Sequence, residues 1–525
     1  MALVPALAAL AALAALTVLA APLGGCARPA PPAGLLTVAV ASAPETLDPR
    51  FATSAVAQRL SALVAAPLVV IGGDLRPRPF LAESIEAADP HTLIVKLREG
   101  MRFHGGAPVT ADDVVFTLGS MKDPALGSPH ASRLTHLVGL QALDARTVRL
   151  SFDGPTAPFL VDLHAWGILS RAACAPSRDA CRNAPVGAGP YRVTTPLGAD
   201  ERLLLAAHDA SPLPPPAIRS VEVRVIRDNT TRLLELLDGR VGLVVGDLTP
   251  TDVEAVVDTP SLVVERIRGL GFTYLALNTR RGPLADVRVR QAIARTLDRF
   301  HVVDTKLRGL AREADSLLPA DHWAHAPDLP QSVVDLAGAK AHLDEAGWPA
   351  RDDGWRFTLE LATTTDRLRR SITLIWAHRL RLVGIDARVV VRDWGALYED
   401  IQRGAFDAFS AKWTPVIEPD LMYWVFHSSS IPAPATADAP ARAGGNRQGF
   451  ADPVLDELLE QARATDDEAA RAALYRQAQH HVADAAALLP LWFEDELIIR
   501  SRRLQDFQPT RTASFLPIAK ARLAE

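Results

Sequence analysis

The chain has 525 residues, of which 48% are hydrophobic and 22% charged, and its formal net charge at pH 7 is −5. This composition is typical of a globular protein with roughly two to four domain-sized units, and it excludes a mainly disordered chain. The negative net charge and the lack of any Lys/Arg-rich run give no electrostatic basis for binding nucleic acid.

The N-terminal segment predicts export. Residues 1–25 carry no charged side chain, are rich in Ala and Leu, and are followed by Cys26 and a Pro-rich stretch, 27–32. Small residues before a Cys are typical of a bacterial lipoprotein signal, in which Cys26 is lipidated and begins the mature chain. An uncleaved transmembrane anchor is the alternative, and both would export the same domain. We therefore predict a signal peptide over 1–25, a tether over 26–34, and a membrane-anchored lipoprotein in the periplasm or at the cell surface.

Two further cysteines, Cys174 and Cys181, lie in one loop. Thiols outside the cytoplasm can oxidise, so we predict a disulfide that closes a small local ring. The alternative is two unpaired surface thiols. This spacing does not suit a tetrahedral zinc site without two further ligands nearby, and we predict no metal.

Strands and helices alternate along the chain. Alternating apolar residues predict strands over 36–40, 147–152 and 220–226, and a capping box formed by Thr110 and Asp113 predicts a helix start. A leucine-rich helix over 228–238 follows the third of these strands. This order of elements predicts an α/β sheet.

The stretch 272–299 reads as a strand, a turn and a helix. Asp286 is placed to cap the helix, and Val289, Ile293, Leu297 and Phe300 predict one buried apolar stripe. Four arginines lie mostly off that stripe, and we expect them to face water: Arg288, Arg290, Arg295 and Arg299.

Later segments continue the pattern. A strand at 359–361, a helix over about 367–383 and a strand at 389–391 follow, and a last strand is predicted near 488–499. No nucleophile elbow, zinc-protease helix or phosphate-binding loop motif occurs, so we predict neither an enzyme nor a cofactor.

Five motifs in order, at 97–116, 185–191, 286–293, 404–413 and 441–456, resemble one family. They are similar to the extracytoplasmic solute-binding receptors of ABC importers, of the peptide/nickel type. The resemblance implies an α/β, two-lobed periplasmic-binding-protein fold of type II, of the large cluster with an extra subdomain in lobe one. It places lobe one at 35–272, with the insertion at about 51–184, lobe two at 273–486, and a return segment to lobe one at 487–525.

The resemblance also implies a function. Such a receptor captures a peptide or peptide-like solute between its lobes and delivers it to the transmembrane subunits of an ABC permease. We expect a monomer. The candidate ligand-binding residues carried over from the family or placed beside its motifs are Thr53, Ser54, Ala55, Thr363, Arg367, Trp413, Glu418, Asp420, Asn446 and Arg447.

The family's two peptide anchors are missing from their usual positions. Peptide-binding members hold the ligand ammonium with an Asp three residues after the Trp, where this chain has Val416, so Glu418 or Asp420 is the candidate replacement. Thr363 stands where dipeptide receptors have an Arg for the ligand carboxylate, with Arg367 a turn away. Dipeptides, oligopeptides, opines, sugars and metal chelates such as those of nickel therefore stay open as ligands.

Structural roles compete with these assignments. Trp413 can be a core residue, and Asn446 and Arg447 can belong to a turn. Two rival functions also remain: a secreted lipoprotein hydrolase acting on peptides or cell-wall fragments, and a receptor-like scaffold with no transport role. The hydrolase would require a nucleophile or a metal constellation in the cleft.

Overall fold

A computed structural model describes residues 34–524 except 155, 211–213, 247, 332, 414 and 434–443. The predicted lipidation site, Cys26, lies outside the described residues. None of the described helices is long and apolar enough to cross a membrane.

The strands are β1 Leu35–Val40, β2 Val69–Ile71, β3 Pro77–Pro79, β4 Ala82–Asp89, β5 Thr92–Leu97, β6 Leu137–Ala142, β7 Thr147–Phe152, β8 Tyr191–Thr195, β9 Arg202–Ala207, β10 Ser220–Val225, β11 Leu243–Val245, β12 Leu262–Leu277, β13 Ala311–Glu313, β14 Phe357–Thr364, β15 Ile385–Arg392, β16 Ala408–Trp413, β17 Leu488–Ser501, β18 Leu504–Gln505 and β19 Arg522–Leu523. The helices are α1 Ala55–Val64, α2 Ala111–Lys122, α3 Ala157–Asp162, α4 Arg171–Cys174, α5 Asn229–Leu237, α6 Pro250–Val256, α7 Val287–Thr296, α8 Arg299–Thr305, α9 Leu336–Glu345, α10 Arg367–Arg381, α11 Trp394–Arg403, α12 Leu421–Phe426, α13 Pro453–Ala464 and α14 Glu468–Ala485. Short 3-10 turns lie at Ala131–Leu134, Gly282–Ala285, Ser428–Ser430 and Leu516–Lys520.

One mixed sheet of eleven strands runs through the molecule. Its order is β15-β14-β16-β12-β17-β11-β1-β10-β9-β8, and β13 pairs with β17 beside this path. Strands β14, β15 and β16 are parallel to one another, as are β1, β10 and β11. The two parallel groups lie on opposite sides of the antiparallel pair β12/β17. We call the part that contains β1–β11 lobe one, and the part built on β13–β16 lobe two; the exact lobe boundaries stay a prediction.

Strands β12 and β17 pass from one lobe to the other. They pair from Leu262 opposite Ser501 to Ala276 opposite Leu488, with a register shift between Ile267 and Gly271. At this irregularity a Cβ on Gly269 would lie 2.3 Å from the Glu494 carbonyl oxygen, and one on Gly271 would lie 2.3 Å from Lys412 Cε. Position 269 therefore needs glycine, because a side chain there would meet the backbone of β17. At position 271 a side chain would instead displace the flexible end of Lys412.

Each part of the molecule has its own core. Lobe one packs Leu36, Val38 and Val223 around its central strands, and lobe two packs helices on both faces of its sheet, around Trp376 on one face and Tyr475 on the other. A separate four-stranded antiparallel sheet, in the order β4-β5-β7-β6, buries its own cluster around Trp166. This second sheet belongs to lobe one and lies inside the segment predicted as an insertion.

The mid-chain helix begins where the sequence predicts and ends earlier. Asp286 caps α7 by accepting the Arg288 backbone N–H at 2.8 Å, and Val289, Ile293 and Leu297 are buried. The prediction for Phe300 is wrong, because α7 ends at Thr296 and the new helix α8 leaves Phe300 69% exposed.

Two arginines of this stretch are buried, and their prediction as solvated residues is wrong. Arg290 donates to the carbonyls of Ala485 and Leu284, both at 2.9 Å, and Arg299 donates to the Ala314 carbonyl at 3.1 Å. Burial lowers the pKa of Arg299 to about 10, which still leaves it charged at neutral pH. Periodicity missed these roles because a guanidinium can satisfy carbonyl groups at the ends of neighbouring elements.

We expect Asn278→Ala to destabilise lobe two. The buried Asn278 amide donates to the carbonyls of Gly404 at 3.1 Å and Phe406 at 2.9 Å, and accepts the Arg280 N–H at 3.2 Å. Removing it leaves buried polar groups without partners, at a cost of about 2–4 kcal/mol. The free energy of unfolding from a denaturant titration measures the loss. The control, Arg281→Ala, removes only a half-exposed ion pair with Asp407 and should cost under about 1 kcal/mol. Equal effects of the two variants would contradict this role for Asn278.

Candidate functional site

The carboxyl ends of the lobe-two strands face lobe one. Phe272, in the part of β12 that enters lobe two, lies opposite Trp413, the last residue of β16. Because β14 and β15 are parallel to β16, their carboxyl ends meet at the same edge. Ligands of open α/β sheets bind at this edge, so the gap between it and lobe one is the candidate site.

Aromatic rings and one arginine form a stack at this edge. The Arg447 guanidinium lies 4.4 Å from the centroid of the Trp413 ring and 5.5 Å from that of Tyr398. Tyr274 is stacked on Trp413 at 6.4 Å between ring centroids, and its hydroxyl is 3.3 Å from Arg447 Nη1. We call these four residues, Tyr274, Tyr398, Trp413 and Arg447, the aromatic–arginine wall. Cation–π contacts of this kind hold the guanidinium in place while leaving its edge available.

Two donors of the wall have no partner. Trp413 Nε1 and Arg447 Nε are both buried and make no hydrogen bond to any described residue. Buried N–H groups are almost always satisfied in folded proteins, by protein, water or ligand. Donors in the core, such as Trp376 Nε1, are also without a described partner, so the position of this pair at the strand ends is what makes it a candidate for a water or a ligand acceptor.

The two acidic candidates are already paired. Asp420 accepts two hydrogen bonds from Arg463, at 2.9 and 2.7 Å, and Glu418 forms a salt bridge with Arg471. Both arginines come from the last helices of lobe two, α13 and α14. A ligand ammonium would have to compete with a guanidinium for either carboxylate.

A histidine fixes the segment that carries these acids. His322 Nε2 donates to the Ile417 carbonyl at 3.0 Å, and its Nδ1 accepts the Ala324 N–H at 3.1 Å. Both contacts together require the neutral ring, and burial lowers the pKa of His322 to about 4. His322 is thus a structural support of this segment.

Thr363 and Arg367 make no hydrogen bond to a described residue of the wall. Thr363, near the end of β14, is fully buried, and its hydroxyl has no described partner. Arg367 is the first residue of α10 and is exposed. Two residues on, Arg369 reaches the Ser410 carbonyl at 3.5 Å, and its charge together with that of Arg447 acts on Tyr274. Burial raises the pKa of the Tyr274 hydroxyl, and the two arginines oppose that rise.

Thr53, Ser54 and Ala55 form the start of α1 in lobe one. Glu45 accepts hydrogen bonds from the backbone and hydroxyl of both Thr53 and Ser54, and the Ser54 hydroxyl also caps the helix at Ala57. Burial alone would raise the pKa of Glu45, but these hydrogen bonds outweigh it and lower the pKa to about 2. Glu45 is therefore ionised and rigidly held, and within the described chain no hydrogen bond joins this segment to the aromatic–arginine wall.

Asn446 has its polar groups occupied. Its amide donates to the carbonyls of Phe426, His427 and Phe450, at 2.8, 3.1 and 2.7 Å, and its oxygen accepts the Phe450 N–H. The side chain is fully buried. Asn446 therefore shapes the turn that presents Arg447.

A hairpin of lobe one touches lobe two. Leu75, in the β2–β3 turn, is 2% exposed and packs with Val161, the crossing-strand residue Leu270 and Ile417 of lobe two. Next to it, Arg76 donates two hydrogen bonds to Glu468 of α14, at 3.1 and 2.6 Å. We call Leu75 and Arg76 the lobe contact. No local pattern predicts this contact, because its partners in the crossing strand and lobe two are about 200 to 400 residues away.

One cluster outside the cleft has the residue types of a hydrolase. Ser429 Oγ lies 2.7 Å from His427 Nδ1, and His427 Nε2 lies 3.2 Å from Glu460. The same Nδ1 also accepts the Ser429 backbone N–H at 3.1 Å, so its lone pair is engaged in a local turn. Among the described residues, no group of three or more His, Cys, Asp or Glu is placed to hold a metal ion.

Cys174 and Cys181 are joined by a disulfide, with 5.3 Å between their Cα atoms. The bond closes a loop between the end of α4 and the segment that returns to the main sheet. It therefore stabilises lobe one locally and lies outside the candidate site.

Comparison with known proteins identifies the family. Residues 76–432 match the model of the bacterial extracellular solute-binding proteins, family 5 (middle). The chain belongs to this family. It is 28% identical over 456 residues to a probable di/tripeptide-binding protein 5 of Pseudomonas aeruginosa, covering 82% of this chain and 84% of that protein. It is 27% identical over 478 residues to the nickel-binding periplasmic protein of Escherichia coli, covering 87% and 88%.

A solved structure shows the same fold. The ABC transporter substrate-binding protein CtaP of Listeria monocytogenes superposes with a TM-score of 0.83, at 22% identity, over 94% of this chain and 99% of that one. The family and the two-lobed α/β fold predicted from the sequence are therefore confirmed. Members of this family are extracellular binding proteins.

We expect Leu75→Asn to shift the protein towards open arrangements of the lobes. Leu75 has a φ of 63°, which Asn tolerates well, so the variant keeps the turn and removes only the apolar contact. Burying a leucine is worth about 1.5–3 kcal/mol. Small-angle X-ray scattering of the ligand-free variant should give a larger radius of gyration than the parent. Arg78→Gln, which removes only an ion pair with Asp74 inside lobe one, is the control. An unchanged radius for Leu75→Asn would contradict a role for the lobe contact in closure.

Proposed function

We propose that the protein is the substrate-binding receptor of an ABC importer and captures a peptide or peptide-like solute between its lobes. The observation that carries the proposal is the aromatic–arginine wall at the carboxyl edge of the lobe-two sheet, with two buried N–H groups that have no partner. An aromatic platform with a few polar groups is the usual lining of a small-molecule site. The di/tripeptide-binding relative of Pseudomonas aeruginosa supports a peptide-like ligand.

The receptor works by lobe closure. The crossing strands β12 and β17 connect the lobes at the point where Gly269 and Gly271 interrupt their pairing, and closure brings the lobe contact onto α14. Ligand on the wall stabilises the closed form, which the transmembrane subunits of the permease then receive. We infer that Cys26 carries the lipid that anchors the receptor to the membrane, and that the receptor acts as a monomer.

The candidate contacts divide between the two lobes. Trp413 and Arg447 form the lobe-two side, and Thr53, Ser54 and Ala55 are proposed for the lobe-one side, where the ionised Glu45 holds them. Thr363 contributes its unpaired hydroxyl from beneath, and Arg367 lies at the rim. Glu418 and Asp420 act on the ligand only through the arginines that they bind.

We infer that the protein is not an enzyme. The Ser429–His427–Glu460 cluster is the arrangement that a hydrolase would use, but its histidine lone pair is engaged by a backbone N–H. A receptor for a nickel or other metal chelate, or for an opine, remains a second candidate, which the nickel-binding relative supports.

We expect Trp413→Ala to weaken ligand binding by about ten- to a hundredfold, since a central aromatic platform commonly contributes that much. Isothermal titration with di- and tripeptides measures the affinity, after native mass spectrometry has identified which of them bind. The matched control is Trp355→Ala, because Trp355 is half-buried just before β14, at the opposite edge of the same sheet. Equal losses in the two variants, or no binding of any peptide, chelate or opine to the parent, would contradict the proposed function.

A further inference from the structure

The charges around the candidate site are not balanced. The three carboxylates Glu418, Asp420 and Glu494 each have a cation partner, and for Glu494 this is Lys412 at 2.6 Å. Arg447 and Arg369 have no carboxylate at salt-bridge distance among the described residues. The ligand-free wall therefore carries an excess of positive charge and no free acid.

The groups around Arg447 determine which edge of its guanidinium can contact a ligand. Rings of Trp413 and Tyr398 lie against its faces, and Tyr274 takes one Nη1 hydrogen bond, so only the edge that includes Nε is left. A guanidinium edge binds a planar carboxylate through two parallel hydrogen bonds. The unpaired Trp413 Nε1 is a further donor on the same wall.

Arg369 adds a second positive charge to the wall. It lies in the first turn of α10, where its backbone N–H donates to the capping Asp366 at 2.7 Å. The one hydrogen bond from its side chain to a described residue is the long contact to the Ser410 carbonyl in β16. Ser410 precedes Ala411, the residue of β16 that pairs with Tyr274. Arg369 and Arg447 therefore approach the same part of the sheet, and neither forms a salt bridge with a described residue. A carboxylate is the natural partner of two such cations.

We propose that the aromatic–arginine wall is a carboxylate-binding subsite, with Arg447 as its specificity-determining residue and Arg369 as the supporting charge. This rests on the proposed receptor function and names its ligand class: small solutes with a free carboxylate, for which a free ammonium group is not required. The ammonium is dispensable because Arg463 and Arg471 already occupy the acids that would bind it. N-acylated peptides and amine-free carboxylates belong to this class as well as ordinary peptides.

The first experiment varies the ligand and leaves the protein unchanged. Four pools are offered to the full chain and the bound species are weighed by native mass spectrometry: free tripeptides, the same peptides amidated at the C-terminus, the same peptides acetylated at the N-terminus, and amine-free small carboxylates. We expect amidation to weaken binding by about ten- to a hundredfold, because it removes a charge-assisted bidentate contact. Acetylation should change the affinity by less than about threefold, because an exposed polar contact contributes no more than that.

Variants then locate the contact. Arg447→Gln should remove the preference for free acids over amides, and Arg447→Lys should keep part of it, because the charge remains without the planar edge. Arg370→Gln is the matched control, since Arg370 is the exposed neighbour of Arg369 on the same helix. Thermal unfolding of each variant checks that the fold is intact; if Arg447→Gln does not fold, the amidation series and Arg447→Lys decide.

Each outcome has one meaning. Binding of acids and acetylated acids but not of amides, or of the amine-free pool alone, supports the subsite. Amides that bind as well as acids, or a preference unchanged in Arg447→Gln, overturn it and leave the receptor function standing. Binding that acetylation abolishes also overturns it, because the ammonium would then be the anchor. No binding in any pool overturns the subsite, and a hydrolysed pool would overturn the receptor function itself.

Discussion

The pairing of β12 with β17 is the constraint on which the rest of the structure depends. These two long strands are the middle of the eleven-stranded sheet, and each belongs to both lobes. Their register is interrupted between Ile267 and Gly271, where a side chain at Gly269 would meet the Glu494 carbonyl of β17. The same crossing brings Tyr274 beside Trp413, so the joint between the lobes also sets one side of the site. Closure and ligand contact therefore share residues.

The chemistry of the site follows from which of its charged side chains already form salt bridges within the protein. Lobe two carries acids close to the cleft, and its own arginines and one lysine neutralise them. Arg447 is held by aromatic faces instead of by a carboxylate, which leaves its edge for a ligand. A half-buried guanidinium whose faces contact aromatic rings and whose Nε has no partner is suited to a planar anion, and poorly suited to an ammonium group. The absence of Asp at position 416 is consistent with this change of partner.

Local sequence rules predicted the elements well and the long-range pairs poorly. Asp286 as a cap and the stripe of Val289, Ile293 and Leu297 depend on neighbours within one helix, and both are present. The prediction that Phe300 is buried was wrong, because apolar spacing does not reveal the helix break between Thr296 and Arg299. The partners of Glu418 and Asp420 lie 53 and 43 residues away, so only the folded sheet and helices bring them together. The motifs in the sequence predicted the family and marked Trp413 as a candidate. The roles proposed for Tyr274, Tyr398 and Arg369 could be inferred only from the positions of the strand ends in the structure.

The central claim is that a solute carboxylate binds the edge of Arg447 against Trp413, between closed lobes. A crystal structure of the protein with the tightest-binding acid from the pools tests it most directly. We expect the carboxylate within hydrogen-bond distance of Arg447 Nε, with the ligand body on the Trp413 ring and the lobe contact formed. A ligand held by Glu418 or Asp420 in place of their arginines, or one bound outside the wall, would contradict it.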